Sequence, residues 1–209
     1  YMKKYRLKLV VAFLGGSLFL ASCGNNSESD KEVHQHNEEM KDSHGDHDHS
    51  GVNKDRELSN NTGKVKGDLS FILDDYFSLN KNLVQDDASG AAIASESLIS
   101  SLKGLKTTEL SDDQQKEMDE IMESALENAE HISQNSGNIK HQREHLVSLS
   151  IDIKDLIAIV GASQKLYEDF CPMADNNNGA IWISNNEAIR NPYMGSKMPE
   201  CGKISRIIN

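Results

Sequence analysis

Four sulfur side chains bracket one stretch near the C-terminus, Tyr167 to Gly202, with Cys171 and Met173 near its start and Met198 and Cys201 at its end. Thiolate and thioether are soft donors, so two such pairs brought face to face suit Cu(I) or Ag(I) far better than magnesium or calcium. The turn-rich sequence between them could loop round and join the two ends. The same stretch holds the single tryptophan, Trp182, and all three prolines. In an exported protein Cys171 and Cys201 equally suit a disulfide closing this loop, which would contribute ~3 kcal/mol through the unfolded state. The residues alone leave both readings open. A plainer role for Met173, Met194 and Met198 is gap-filling in a core, and for Trp182 that of a hydrophobic anchor.

Export is indicated at the other end of the chain. Lys3, Lys4, Arg6 and Lys8 precede an apolar run, Leu9 to Leu20, interrupted only by Gly15, Gly16 and Ser17. That run is shorter than the ~20 residues a transmembrane helix needs and ends in small residues, as a signal peptide over residues 1–22 would. Leu20-Ala21-Ser22-Cys23 resembles the bacterial lipobox, which makes Cys23 the expected lipidated first residue of the mature chain, anchored to a membrane of the cell envelope and periplasmic or surface-exposed.

The whole chain has a formal net charge of -11. Removal of residues 1–22 takes away four basic side chains and no acidic one, leaving 18 basic against 33 acidic and a mature net charge of -15. Nucleic acid is not an expected partner, while cations are drawn toward such a surface.

Residues 23–64 read as a disordered tether, because Asn, Ser, Glu, Asp and His dominate and almost no large apolar side chain is present to offset the cost of ordering the backbone. Within it His34 and His36, then His44, His47 and His49, alternate with carboxylates. Short His-rich tracts of this kind read as weak, adaptable metal binders, with zinc or Cu(II) the expected occupant, the plainer alternative being a solvated low-complexity spacer.

Residues 65–209 form the expected folded domain. Leu69, Ile72, Leu73, Tyr76, Phe77, Leu79, Leu83 and Val84 recur at helical spacing, with Asp68 able to cap the start. A second helix is expected from about Asp87 to Leu102, with Ile93 in its apolar stripe, Ser95 and Ser97 interrupting it, and Gly104 at its stop. Ser111 and Gln114 form a capping-box pattern before a third helix with Met118, Ile121, Met122, Ala125, Leu126, Ala129 and Ile132 on one face. A fourth should span Ile139 to Val160, and Leu166, Tyr167 and Phe170 keep a spacing that could prolong it. The expected architecture is all-α, an antiparallel four-helix bundle with a small irregular C-terminal cap. Asp175 to Gly179 should turn, and Lys203 to Ile208 suits either a strand or a strap.

His141 and His145 stand four apart and so share a helix face, as a metal pair would. With no third ligand evident in that helix, a solvated face is the favoured reading.

Several of these segments together resemble a bacterial domain of unknown function, the family numbered 3347. The resemblance is carried by Phe170 to Ala174, Gly179 to Ser184, Asn191 to Gly195, Met198 to Gly202, Tyr76 to Asp87, Gln142 to His145 and Leu149-Ser150. It extends from about Lys66 to the C-terminus and includes His145, Cys171, Met173, Trp182, Asn191, Pro192, Tyr193, Met198, Cys201 and Gly202. Leu146 and Met194 depart from it, standing where the family more often has an aromatic residue. The resemblance implies a small exported lipoprotein in a metal-handling context, since the same domain occurs on membrane fusion subunits of copper and silver efflux systems. It also makes His145 a stronger candidate ligand than His141.

The expected function is therefore binding or buffering of a soft ion, copper or silver, by Cys171, Met173, Met198 and Cys201, supported by His145, Trp182, Asn191 and Tyr193. The alternative is a module that docks on a metal-efflux membrane fusion protein, with Cys171 and Cys201 in a structural disulfide. A catalyst is the least expected class: no nucleophile-base pair, Gly-rich phosphate loop or paired carboxylates stand out.

Overall fold

The computed structural model describes residues 66–209. The segments expected to be a signal peptide and a tether, with Cys23, His34, His36, His44, His47 and His49, lie outside the described residues.

Four long helices come first: α1 (Ser70–Val84), α2 (Ala88–Gly104), α3 (Asp112–Gln134) and α4 (Ile139–Val160). Each start has a local cause. Asp68 Oδ1 accepts the Ser70 N–H at 2.9 Å before α1, and Asp87 accepts from Gly90 N before α2. Ser111 and Gln114 make both halves of the capping box at α3, and Asn138 caps α4 through the His141 N–H. α1 packs on α2, α2 on α3 and α3 on α4.

The pairs α1/α2 and α3/α4 run antiparallel. Asp75 meets Ser101 across the first, while Ser124 meets Asp152 and Asn128 meets His145 across the second. The apolar stripes bury Leu73, Tyr76, Leu79, Leu98, Ala125, Ile132, Leu149 and Leu156 together, each large aliphatic side chain contributing ~1.5–3 kcal/mol. Two stripe positions of α2 differ from expectation. Ile93 is 66% exposed, whereas Ser95 is fully buried because its hydroxyl donates to the Ala129 carbonyl at 2.7 Å.

After α4 the sequence expectation is corrected. Gly161 takes φ +89° and ends the helix, so Leu166, Tyr167 and Phe170 do not prolong it. They lie in β1 (Leu166–Cys171), which pairs antiparallel with β2 (Ala180–Ser184) and with β3 (Lys203–Ile208) in the order β2-β1-β3. The C-terminal part is thus a small sheet rather than an irregular cap, and β2 packs on α4. Long-range hydrogen bonding from a strand paired on both edges outweighs a weak helical spacing only a few residues long. Asp175, Asn176, Asn177 and Gly179 all have positive φ in the turn between β1 and β2, in line with the turn expected there. No described helix is long and apolar enough to cross a membrane.

Candidate functional site

Cys171 ends β1, Met173 starts the turn after it, and Cys201 lies just before β3; pairing of β1 with both other strands brings these positions together. The two Sγ atoms are 3.1 Å apart, and Cys201 Sγ is 3.9 Å from Met173 Sδ. Cys171 is fully buried, while Met173 is 47% exposed, so the group lies at the surface end of the sheet with one thiol inside. An ion held by sulfurs at about 2.3 Å with tetrahedral to trigonal angles spaces them by about 3.8–4.0 Å. The Met173–Cys201 pair already has that spacing, and the thiols need to part by less than about 1 Å. Hydrogen bonding to Cys171 is the main reason the Cys201 thiol is held above its ordinary pKa, with burial adding to it.

Met198 enters through its backbone, its carbonyl accepting the Cys201 N–H at 3.1 Å while its side chain is 38% exposed. The loop bearing Cys201 is fixed by Asn191. Its Nδ2 donates to the Cys201 carbonyl at 2.6 Å, and its Oδ1 accepts from the Tyr193 and Met194 N–H groups. Tyr193 ties that loop to the sheet and to α4, donating to the Ile181 carbonyl at 2.6 Å and lying 3.2 Å from the Ser150 hydroxyl. Trp182 packs edge-on against Tyr193 with centroids 6.1 Å apart. A Cβ on Gly202 would come within 2.9 Å of the Trp182 ring and 2.8 Å of the Phe170 carbonyl, so the residue after Cys201 has no room for a side chain. Trp182, Asn191 and Tyr193 thus act on the sulfur group as its frame.

Asp169 faces Trp182 across the β1–β2 pair; burial pushes its carboxyl up to about 6 against opposition from the Ser184 hydroxyl, and neither oxygen has a partner at good hydrogen-bond geometry among the described residues. The Ser184 hydroxyl beside it gives its hydrogen to the Asn186 carbonyl instead.

Gln142 and Arg143, in the Gln142–His145 motif, have structural work. Gln142 donates to the Ala88 and Ile132 carbonyls. Arg143 binds the Pro192 and Leu83 carbonyls and the Asp86 carboxylate. Ser196 and Arg143 together hold that carboxyl down to about 2.

His145 belongs to a second group that the sequence reading had only in part. His131 in the last turn of α3 stacks on His145, with centroids 4.3 Å apart and planes 5° from parallel, and His141 Nε2 lies 3.2 Å from His145 Nε2. One ring nitrogen from each of His131, His141 and His145 lies within 4.8 Å of the others. Burial, then the neighbouring His131 and His141, push His145 down to about 4. His131 was not foreseen, but a signal existed: His131 and His141 are equidistant from Ser136 in the turn between two antiparallel helices, and such positions meet across the pair.

A family model described as "Protein of unknown function (DUF3347)" matches residues 72–165, from α1 to the residue before β1. The match contains all three clustered histidines and stops short of the sulfurs. Neither curated proteins nor solved structures give a match. The helical segment, residues 72–165, is thus similar to the DUF3347 family of proteins of unknown function.

Proposed function

We propose that this chain is an exported, lipid-anchored protein of the bacterial cell envelope that binds and buffers a soft monovalent ion, Cu(I) or Ag(I). Cys171 and Cys201 are the thiolate donors, Met173 is a thioether donor, and Met198, whose backbone holds Cys201, is a further thioether candidate. The observation that carries this reading is the convergence of three sulfurs from separate positions in the chain, at 3.1 and 3.9 Å. Soft donors of this kind select monovalent copper or silver over harder divalent ions.

In this reading the protein is not an enzyme. The four helices form an antiparallel bundle presenting the sulfur-bearing sheet, lipid on Cys23 holds the chain at a membrane, and the tether histidines gather zinc or Cu(II) nearby. A metal-efflux membrane fusion protein is the partner to which the ion would pass.

Native mass spectrometry of the anaerobically purified chain, with His34, His36, His44, His47 and His49 replaced by Asn, tests the sulfur site. One Cu(I) should be retained and lost in the Cys171→Ser/Cys201→Ser variant. Free thiols without a Cu(I) increment, or uptake unchanged by the double substitution, would overturn the reading. A second reading, a docking module closed by a Cys171–Cys201 disulfide, draws on the close approach of the sulfurs and the burial of Cys171. Thiol counting on the same sample separates the two, since a disulfide leaves no free thiol.

A further inference from the structure

The hydrogen bonds around the histidine group decide which ring nitrogens carry protons. Asn128 Nδ2 donates to the Ser124 carbonyl at 3.0 Å, so its amide oxygen is the end that faces His145 Nδ1, 3.0 Å away. His145 Nδ1 is therefore an N–H donor. His141 Nδ1 lies 3.3 Å from Glu144 Oε2, and an ionised carboxylate only accepts, so His141 Nδ1 is also N–H.

In the neutral rings both Nε2 atoms then carry lone pairs, and these two atoms face each other at 3.2 Å. Two lone pairs so directed repel, and a proton or a metal ion between them relieves that repulsion. An ion held at about 2.05 Å by two imidazole nitrogens at the tetrahedral angle separates them by about 3.3 Å.

We infer that His131, His141 and His145 form a site for one borderline divalent metal ion of the Zn(II) class, distinct from the sulfur group. His141 and His145 are already placed as ligands through Nε2. His131 completes the set from the neighbouring helix when its ring, stacked on His145, turns its nitrogen toward the ion and closes by at most about 1.5 Å, from within 4.8 Å to ligand spacing. Imidazole nitrogens suit Zn(II), Cu(II) or Ni(II) rather than a soft monovalent ion, which is why this site and the sulfurs would take different metals.

Asn128 is a positioning residue. It fixes the His145 tautomer and is itself held by Ser124, whose hydroxyl donates to Asp152 at 2.9 Å. Outer partners of this kind hold a ligand ring in orientation and raise its basicity. Three imidazoles leave one tetrahedral position for water or an exchangeable donor, as suits an ion that must leave again. The site is half-buried at the α3/α4 turn and open to such exchange.

The inference does not depend on the sulfurs binding anything. Its test uses the full chain with the same five tether histidines replaced by Asn, titrated with Zn(II) in competition with a chromophoric chelator. Expected is one Zn(II) that disappears in His141→Ala/His145→Ala, an affinity at least 100-fold lower in His131→Ala, and one 10–100-fold lower in Asn128→Leu, which keeps all three rings. Helical circular dichroism without metal establishes that each variant folds; if His145→Ala does not, the more exposed His141→Ala carries the same test. Equal Zn(II) stoichiometry with and without the histidines would overturn the site. So would parental affinity in His131→Ala, which would leave only a pair on one helix.

Discussion

The histidine group and the sulfur group hold their residues in different ways. In α3 and α4, position along each helix is fixed by local hydrogen bonds, and a four-residue turn sets one helix against the other. His131, His141 and His145 therefore meet through short-range geometry, within fourteen residues of one another in sequence. Cys171 and Cys201 are 30 residues apart and meet only after β1 has paired with β3 and Asn191 has pinned the intervening loop. A site on a helical hairpin inherits rigidity from its backbone. One at the meeting of strand and loop depends on a few buried polar side chains.

The comparison is broken most strongly from the helical side by pH. Burial pushes Asp152 up to about 7, against opposition from the Ser124 hydroxyl, with Asp155 nearby adding to the rise. Because the folded-state pKa lies above the unfolded one, Asp152 favours folding fully below about pH 4, and that contribution is lost as pH rises through about 7. Urea denaturation should show as much as ~4 kcal/mol of stability lost across this window. Asp152→Asn should remove the Asp152 share of that dependence, leaving the parallel share of Asp169 and the opposing share of His145, and be the more stable protein at pH 8. The same pH dependence in wild type and Asp152→Asn would contradict this assignment.

Asn191→Ala should act on the sheet side. It removes the acceptor for two buried N–H groups and the donor to the Cys201 carbonyl, at an expected cost of ~3 kcal/mol. Cu(I) uptake should fall with it, while Zn(II) uptake at the histidines stays at the parental level. If both metals are lost together in a protein that retains its helical signal, the two regions are more tightly coupled than described here.

The smallest expected effect sharpens the local character of the helices. Ser111→Ala breaks the capping box of α3 and should cost ~1 kcal/mol in chemical denaturation, with neither metal affected. A loss several times larger would mean that the start of α3 is held by more than its cap.

The four helices were legible in the sequence because each is written locally, in a periodic apolar stripe and a cap. Ile139 to Val160 is where the fourth was expected, and Ser111 with Gln114 announced the third. The turn from Asp175 to Gly179 was legible for a similar reason, its residues being ones that accept positive φ. Ile93 and Ser95 were not, because periodicity locates a face but not its edge, and the Ala129 carbonyl that satisfies Ser95 belongs to another helix. β1 was missed because six residues of mixed pattern carry little local preference, and its identity as a strand comes from partners on both sides. The sulfur residues could be named from their chemistry, but their distances depend on that pairing. His131 entered only with the third dimension: its own helix holds no second histidine or cysteine, and α4, folded back across the turn, supplies two histidines. By itself the sequence determined the helices, their caps and which side chains have the chemistry to bind metal. Tertiary structure decided which of those side chains meet, because contacts between distant segments are set by packing and strand pairing rather than by any residue's own preference.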